Sequence, residues 1–309
     1  MICAYCGKEA KGTKEHIISS GILDLFPECF ATIDGERNII HTADPMVKDV
    51  CAECNNHRIS YIDSYAKQFI ETYFLKSYEK DEKLLINYDY CKIQKVFLKY
   101  AFNDLRSRKK DFSFFTRDII DFLLNEEDST PKRNVSVLAG LAVNTSPIPD
   151  FVFGNNKIRW GDNPFLCENS IVENIDYDTG AVRLREDIHS QKLNRVLLSY
   201  VFRINSVQIL LFCLEPTISD DELRENNILL EYQYPYTLLS DAGSSELSRC
   251  TSESTYHHEK LIDVSWGQGL CDEMSYMRGT YSENYQAYLK EINDAWETEE
   301  VRLKEEHKR

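Results

Sequence analysis

An α+β fold is predicted by two features of the 309-residue chain. Apolar residues recur at helical spacing over residues 55–78 and 91–108, whereas short β-prone runs separated by turn signals dominate residues 135–240. The composition, with 42% apolar and 28% charged residues, is that of a globular rather than a disordered protein. We therefore expect helices in the first half, a β-rich α+β module after them, and a charged helix at the end. This last helix should dock by its aromatic residues at first and be solvated towards its end.

Charge and cysteine usage narrow the function classes. The net charge of −15 argues against a protein that coats nucleic acid by bulk attraction. A local basic surface or a bound cation can still hold phosphates on an acidic chain. The first residues contain neither a basic start nor an apolar run, so we expect a cytoplasmic protein with reduced thiols, no signal peptide and no membrane segment.

Two Cys-x-x-Cys pairs indicate a metal site. Cys3 with Cys6, and Cys51 with Cys54, provide four soft ligands. A two-residue gap lets both sulfurs of a pair reach one ion, and two pairs complete a closed tetrahedral zinc site. The alternative is four unrelated thiols. Because 44 residues separate the pairs, we expect folded chain between them.

Polar residues follow each cysteine pair. Glu15 and His16 come after the first pair, and Asn55, Asn56 and His57 directly follow the second, where a helix is predicted to begin. A shared zinc ion would bring the start of this helix close to the Glu-His step. A closed four-cysteine site has no open coordination position, so any chemistry would depend on these neighbouring side chains.

The segments CAYCGKEAKGTKEHIIS (residues 3–19) and VCAECNN (residues 50–56) resemble the HNH endonuclease family, in its form with a four-cysteine zinc site. The resemblance covers residues 1–65. It implies a ββα-metal domain in which His16 is the general base towards water. It also implies that Glu15 and Asn55 are ligands of a catalytic divalent ion, Mg²⁺ or Mn²⁺, beside the structural zinc.

The sequence departs from the family pattern at two positions. Ser19 stands where a proline is usual, and Met46 stands where the family has its middle Asn, about five residues before the third cysteine. That Asn would mainly orient the histidine loop through backbone hydrogen bonds. Asn38 and Asp44 are the candidates to replace it.

The candidate residues also have simpler interpretations. Asn55 would serve equally as a helix N-cap, and His16 could be a core histidine whose ring is satisfied by neighbours. Asn56 and His57 are possible supporting residues, and His57 would either contact phosphate or lie on an exposed helix face.

Basic residues gather on one side of the helix predicted over residues 91–108. This face is either solvated or the wall of a groove for phosphates. Asp104 lies inside the apolar stripe of the same helix, so it needs a partner, either in a structural salt bridge or beside a site. The candidates for nucleic-acid binding are Lys92, Lys95, Lys99, Arg106 and Lys110.

Three parts are expected: an HNH nuclease domain with structural zinc (1–65), a helical connector with a basic face (66–130), and a β-rich α+β regulatory or recognition module ending in a charged helix (131–309). The predicted function is metal-dependent hydrolysis of DNA, with RNA as a further possible substrate. The resemblance suggests a bacterial restriction or anti-phage effector, gated by the last module, a protein partner or self-assembly. The alternative is a non-catalytic zinc module that binds DNA or protein.

Overall fold

The computed structural model confirms the α+β class, because helices and strands occur along the whole described chain. It describes residues 1–34, 39–78, 82–142, 151–153, 157–162, 164–165, 172–175, 182–184, 193–231, 236–248, 257–258 and 283–308. The helices are α1 (Ser20–Leu23), α2 (Ser60–Tyr73), α3 (Tyr90–Ser107), α4 (Arg117–Leu124), α5 (Asp220–Glu231) and α6 (Glu283–His307), and a π-helical turn (Cys54–Arg58) precedes α2. The strands are β1 (Gly12–His16), β2 (Ala31–Asp34), β3 (Ile39–His41), β4 (Met46–Cys51), β5 (Leu84–Asn87), β6 (Val135–Leu141), β7 (Val152–Phe153), β8 (Ile158–Asp162), β9 (Pro164–Phe165), β10 (Val172–Ile175), β11 (Val182–Leu184), β12 (Val196–Ile204), β13 (Val207–Leu214), β14 (Thr237–Leu238), β15 (Ser244–Leu247) and β16 (His257–His258). Among the described helices, none has both the length and the apolar composition needed to cross a membrane.

Strands β1 and β4 form a two-stranded antiparallel sheet. Gly12 lies opposite Cys51, and His16 lies opposite Met46. A Cβ atom at Gly12 would lie 2.2 Å from the backbone oxygen of Lys48, so the close approach of the two strands requires a residue without a side chain. The chain between the strands contains α1, β2 and β3, which agrees with the expectation of folded structure between the cysteine pairs.

Helix α3 is buried over most of its length, from Ile93 to Leu105. Phe97 packs on Phe202 of β12, with ring centroids 5.2 Å apart. Phe102 contacts Tyr5 between the first cysteines, with centroids 5.3 Å apart. A helix that is buried on all sides lies inside the fold. Helix α3 therefore connects the β1–β4 sheet to the larger sheet.

Two lysines of α3 do not lie on the solvent-exposed basic face that the sequence predicts. Lys95 and Lys99 are fully buried. The Nζ atom of Lys95 donates to the backbone oxygens of Asn125 and Asp128, at 2.7 Å each. The prediction was wrong here because apolar periodicity identifies one buried stripe, whereas α2, α4 and the sheet cover α3 on its other sides as well.

The remaining basic residues of that set are largely held in ion pairs. Arg106, whose side chain is 5% exposed, binds Asp49, and Lys110 binds Asp162. Lys92 alone among the five keeps a side chain that is 36% exposed. The predicted groove wall for phosphates is therefore not present on α3.

A five-stranded antiparallel sheet in the order β14-β6-β13-β12-β8 forms the β-rich part. Strands β12 and β13 make a hairpin that packs through Phe202 on α3. Asp104 of α3 accepts hydrogen bonds from Trp160 Nε1 at 2.9 Å and Tyr200 Oη at 2.7 Å, and it pairs with Arg108 at 2.8 Å. Of the two roles considered for Asp104, a structural salt bridge or a place beside a site, the structure shows the salt bridge.

One hydrophobic cluster extends across both predicted domain boundaries. It contains Ile62 and Ala66, which lie on either side of the first boundary within α2. It also contains Leu124 and Val135, on either side of the second. The predicted division at residues 65 and 130 is therefore not visible as a break in the core.

The charged terminal helix was predicted and is present as α6. We expected aromatic contacts first and a solvated end. Trp296 does pack on Phe151, with ring centroids 5.9 Å apart. The end of the helix is solvated as expected, since residues 304–308 are exposed, but Leu303 just before them is fully buried with Ala31 and Val152. Positions seven apart share a helix face, so Leu303 follows Trp296 onto the same sheet, β3-β2-β7.

Candidate metal centre and adjoining site

The four predicted ligands form a compact sulfur cluster. The Sγ atoms of Cys3, Cys6, Cys51 and Cys54 all lie within 4.8 Å of one another. Those of Cys6 and Cys51 are 3.8 Å apart, close to the separation of about 3.8 Å expected around tetrahedral zinc with Zn–S bonds of about 2.3 Å. The residues present therefore fit a closed structural zinc site.

The local backbone prepares the first cysteine for a metal. Gly7 adopts a left-handed conformation (φ 70°) directly after the first pair, which lets the chain turn back towards the sulfurs. The N–H group of Cys51 donates to Cys3 Sγ at 3.4 Å. Burial would raise the pKa of Cys3, but hydrogen bonds from neighbouring backbone amides outweigh it and lower the pKa to about 7. The thiolate is the form that binds zinc.

The sulfur cluster contains residues of both the end of β4 and the π-helical turn, and Asn55 adds a second link, from the turn to β1. Its Nδ2 atom donates to Thr13 Oγ1 at 3.0 Å and to the backbone oxygen of Lys14 at 2.9 Å. No side-chain hydrogen bond caps this turn, so Asn55 does not act as the N-cap that was its alternative role. The start of the turn is therefore attached to β1 at Lys14, which lies two residues before His16.

His16 lies at the end of β1 with a side chain that is 26% exposed. Its Nε2 atom lies 3.3 Å from Oδ2 of the exposed Asp44. The ring is thus accessible from solvent and is not an enclosed core histidine. An imidazole nitrogen that solvent can reach is able to take part in general acid–base chemistry.

Glu15 points to the opposite side of β1. Its side chain is 5% exposed, and Oε1 lies 2.6 Å from Nζ of Lys99, which also contacts Asp63 at 2.6 Å. Burial alone would lower the pKa of Lys99, but the two carboxylates together raise it above its ordinary value. The ammonium group therefore stays charged between them.

This arrangement does not fit the divalent ion implied by the resemblance. The Glu15 carboxylate, one of the two ligands that the resemblance implies, is enclosed and bound to Lys99. Mg²⁺ and Mn²⁺ prefer several oxygen ligands, and Mg²⁺ usually keeps bound waters. A hydrated ion reaches Glu15 only if the pair with Lys99 opens, so we assign no reaction step to a Glu15-bound ion.

Asn103 of α3 is a residue of this site that the sequence reasoning missed. It is fully buried, and its Nδ2 atom donates to the backbone oxygen of His16 at 3.0 Å. Its Oδ1 atom accepts from Tyr5 Oη at 2.9 Å and from Arg106 Nη2 at 3.0 Å. Burial raises the pKa of Tyr5, so its hydroxyl stays protonated and can donate. The available signal was an amide in a buried helix segment, which requires partners.

The other predicted candidates occupy varied places. Asn56 and His57 are exposed on the π-helical turn. Met46 pairs with His16 across the two strands and is partly exposed. Asn38 lies outside the described residues. Of the two candidates for the middle Asn, Asp44 contacts the ring of His16, whereas the backbone contact expected of that Asn is made by Asn103.

Comparisons with protein-family models, with curated proteins and with solved structures found no match to this chain.

Proposed function

We propose that the chain is an endonuclease of the HNH type that hydrolyses DNA phosphodiester bonds, with His16 as the general base. The observation that supports it most is the junction of the zinc cluster, β1 and the turn before α2. There, Asn55 lies 2.9 Å from the backbone of Lys14, beside an accessible histidine. The resemblance to HNH endonucleases implies a reaction site between a β-hairpin and the helix that follows it, which is where these residues lie.

The chemistry requires a water to be deprotonated in line with the leaving oxygen. His16 suits this role because its ring is accessible and its backbone oxygen is fixed by Asn103. Asp44 contacts the ring and stabilises an orientation in which the other ring nitrogen can accept the proton. Charge on the phosphate must also be neutralised, by a cation or by basic side chains.

A regulated activity fits the architecture. The large sheet packs on α3 through Phe202 and Phe97, and α3 also carries Asn103, which holds the backbone of His16. A ligand or partner that moves the sheet relative to α3 would thereby change the position of His16. The setting in restriction or anti-phage defence rests on the family resemblance.

The test is cleavage of supercoiled plasmid DNA and of a structured RNA by purified protein with Mg²⁺, with Mn²⁺ and without added divalent ion. We expect nicking of DNA, and loss of this activity in His16→Ala. His41→Ala is the matched control, because it removes a partly exposed histidine of β3 that is none of the candidate site residues. Zinc content and circular dichroism verify that the variants remain folded. Equal cleavage by wild type and His16→Ala would exclude His16 as the base.

A second candidate function is supported by the Glu15–Lys99 pair. The buried ammonium group of Lys99 binds the Glu15 carboxylate, which would otherwise be available to a catalytic ion. This favours a zinc module that binds DNA without cutting it. Binding without cleavage under all ion conditions would select this alternative.

A further inference from the structure

The β1–β4 sheet has one face inside the protein and one towards solvent. Glu15 and Val47 are opposite each other and buried. Side chains alternate along a strand, so Lys14 and His16 on β1, and Lys48 on β4, lie on the outer face. Their exposure agrees, because both lysines are exposed and His16 is partly exposed.

Both lysines lie at an irregularity of the sheet. Thr13 lies opposite Val50 and Glu15 lies opposite Val47, so β4 has two residues, Lys48 and Asp49, where β1 has only Lys14. The Asp49 carboxylate is held by Arg106. Bulges redirect side chains and are frequent beside active sites. Here the bulge carries an exposed lysine on each strand, next to the end of β1 that holds the accessible histidine.

Among the residues that the structure describes, neither Lys14 nor Lys48 has a carboxylate partner. Lys99 on the inner side of the sheet is, by contrast, paired with Glu15 and Asp63. In a chain with a net charge of −15, two unpaired cations on the outer face, beside the accessible His16, indicate an anionic partner.

The backbone at both lysines is fixed, which suits a binding surface. The backbone oxygen of Lys14 accepts the hydrogen bond from Asn55 at 2.9 Å. The backbone oxygen of Lys48 lies against Gly12, where no side chain could fit. Only the flexible lysine side chains remain free to follow a partner.

We propose that Lys14 and Lys48 bind DNA backbone phosphates on either side of the bond that His16 faces. This inference rests on the proposed function and assigns the substrate-binding surface to the outer face of β1–β4 instead of α3. Lysine binds phosphates as a point charge without base selectivity. The surface would therefore bind DNA irrespective of sequence.

The test measures DNA binding separately from cleavage. A fluorescent duplex is titrated with the His16→Ala protein at several salt concentrations, without added divalent ion, and the slope of log K against log salt is determined. Each phosphate contact contributes about 0.9 to this slope. We expect Lys14→Gln/Lys48→Gln to reduce its magnitude by about 1.8 and to weaken binding. Lys14→Arg/Lys48→Arg should retain the slope.

The matched control is Lys76→Gln/Lys290→Gln, which removes the same charge from exposed positions on other segments. We expect its slope to equal that of the parent protein. Zinc content and circular dichroism verify the fold of each variant.

The outcomes separate this inference from the proposed function. If the wild type cleaves DNA but Lys14→Gln/Lys48→Gln leaves the slope of log K against log salt unchanged, only the proposed binding surface is overturned. Equal slope changes in Lys76→Gln/Lys290→Gln would also overturn it, because the effect would then reflect net charge. If the wild type neither binds nor cleaves DNA, both the binding surface and the proposed function are overturned. If it binds RNA but no DNA, DNA is excluded as the partner.

Discussion

The side-chain amide of Asn103 donates a hydrogen bond to the backbone oxygen of His16, over a distance of 3.0 Å and a sequence separation of 87 residues. Under the proposed function, this contact would take the role of the motif's middle Asn, at whose place Met46 stands. Since Asn103 belongs to the buried helix α3, the position of the His16 backbone depends on the core of the protein.

Replacing Asn103 by alanine should destabilise the protein by about 1–3 kcal/mol, because the Tyr5 hydroxyl and the His16 backbone oxygen would lose a buried partner. The measurement is urea unfolding. If the nuclease activity is present, kcat should also fall by about 10-fold or more at a temperature at which the variant is folded, since small displacements of a catalytic group are costly.

Asn134→Ala is the control for Asn103→Ala. Asn134 is also buried, and its Nδ2 atom donates to a backbone oxygen, that of Leu214, at 2.9 Å. We expect a similar loss of stability with kcat unchanged. If both variants reduce kcat equally, Asn103 has no specific role in orienting His16.

The pair of Glu15 with Lys99 gives a second prediction. Lys99→Met would leave the Glu15 and Asp63 carboxylates without their common cation. Removing one member of a buried ion pair costs about 3–5 kcal/mol. The pKa of Lys99 is raised in the folded protein. The ion pair therefore contributes fully to the free energy of unfolding below the ordinary lysine pKa, and this contribution is lost only in stronger alkali. Urea unfolding of wild type and variant at neutral pH, where the Lys99 ammonium group is charged, measures the difference in unfolding free energy.

The control for Lys99→Met is Lys76→Met. Lys76 pairs with Glu82, but their side chains are 66% and 38% exposed. An exposed pair contributes at most about 1 kcal/mol. Equal effects of the two substitutions on chemical unfolding would contradict a stabilising role for the buried pair.

Zinc removal gives the third prediction. Cys54→Ser should abolish binding of one zinc ion per chain, measured by elemental analysis. Loss of a structural metal is among the most destabilising changes, so we expect about 4 kcal/mol or more. Acidification should release zinc from the wild type as well, because the thiolates become protonated.

Cys213→Ala serves as the matched control for the zinc site. Cys213 is a fully buried thiol of β13 that lies outside the sulfur cluster. The variant should keep the zinc ion and lose only the packing of one sulfur atom. Retention of zinc by Cys54→Ser would contradict the assignment of the ligands.

The sequence predicted those features that depend on local spacing. The two Cys-x-x-Cys pairs identified the sulfur cluster, and apolar periodicity identified α3 nearly to its ends. The surroundings of α3 could not be predicted in this way, because periodicity does not show how many neighbours pack on a helix. Lys95 and Lys99 were therefore placed in solvent although they are buried.

Contacts between distant segments explain the other differences. Glu15 and His16 are adjacent, so their sequence suggested a common site, but strand geometry directs them to opposite faces. Glu15 then contacts Lys99 in the core, whereas His16 contacts Asp44 at the surface. Such partners depend on tertiary packing that the family motif does not encode.

The last prediction concerns the docking of α6. Leu303 is fully buried with Ala31 and Val152, whereas Val301 on the same helix is 61% exposed. Leu303→Ala should cost about 2–5 kcal/mol of docking free energy, because a buried leucine is replaced by a cavity. Hydrogen exchange over residues 283–308 should accelerate in Leu303→Ala and stay unchanged in Val301→Ala. Equal exchange in the two variants would mean that Leu303 does not anchor the helix, and that Trp296 on Phe151 is its principal contact.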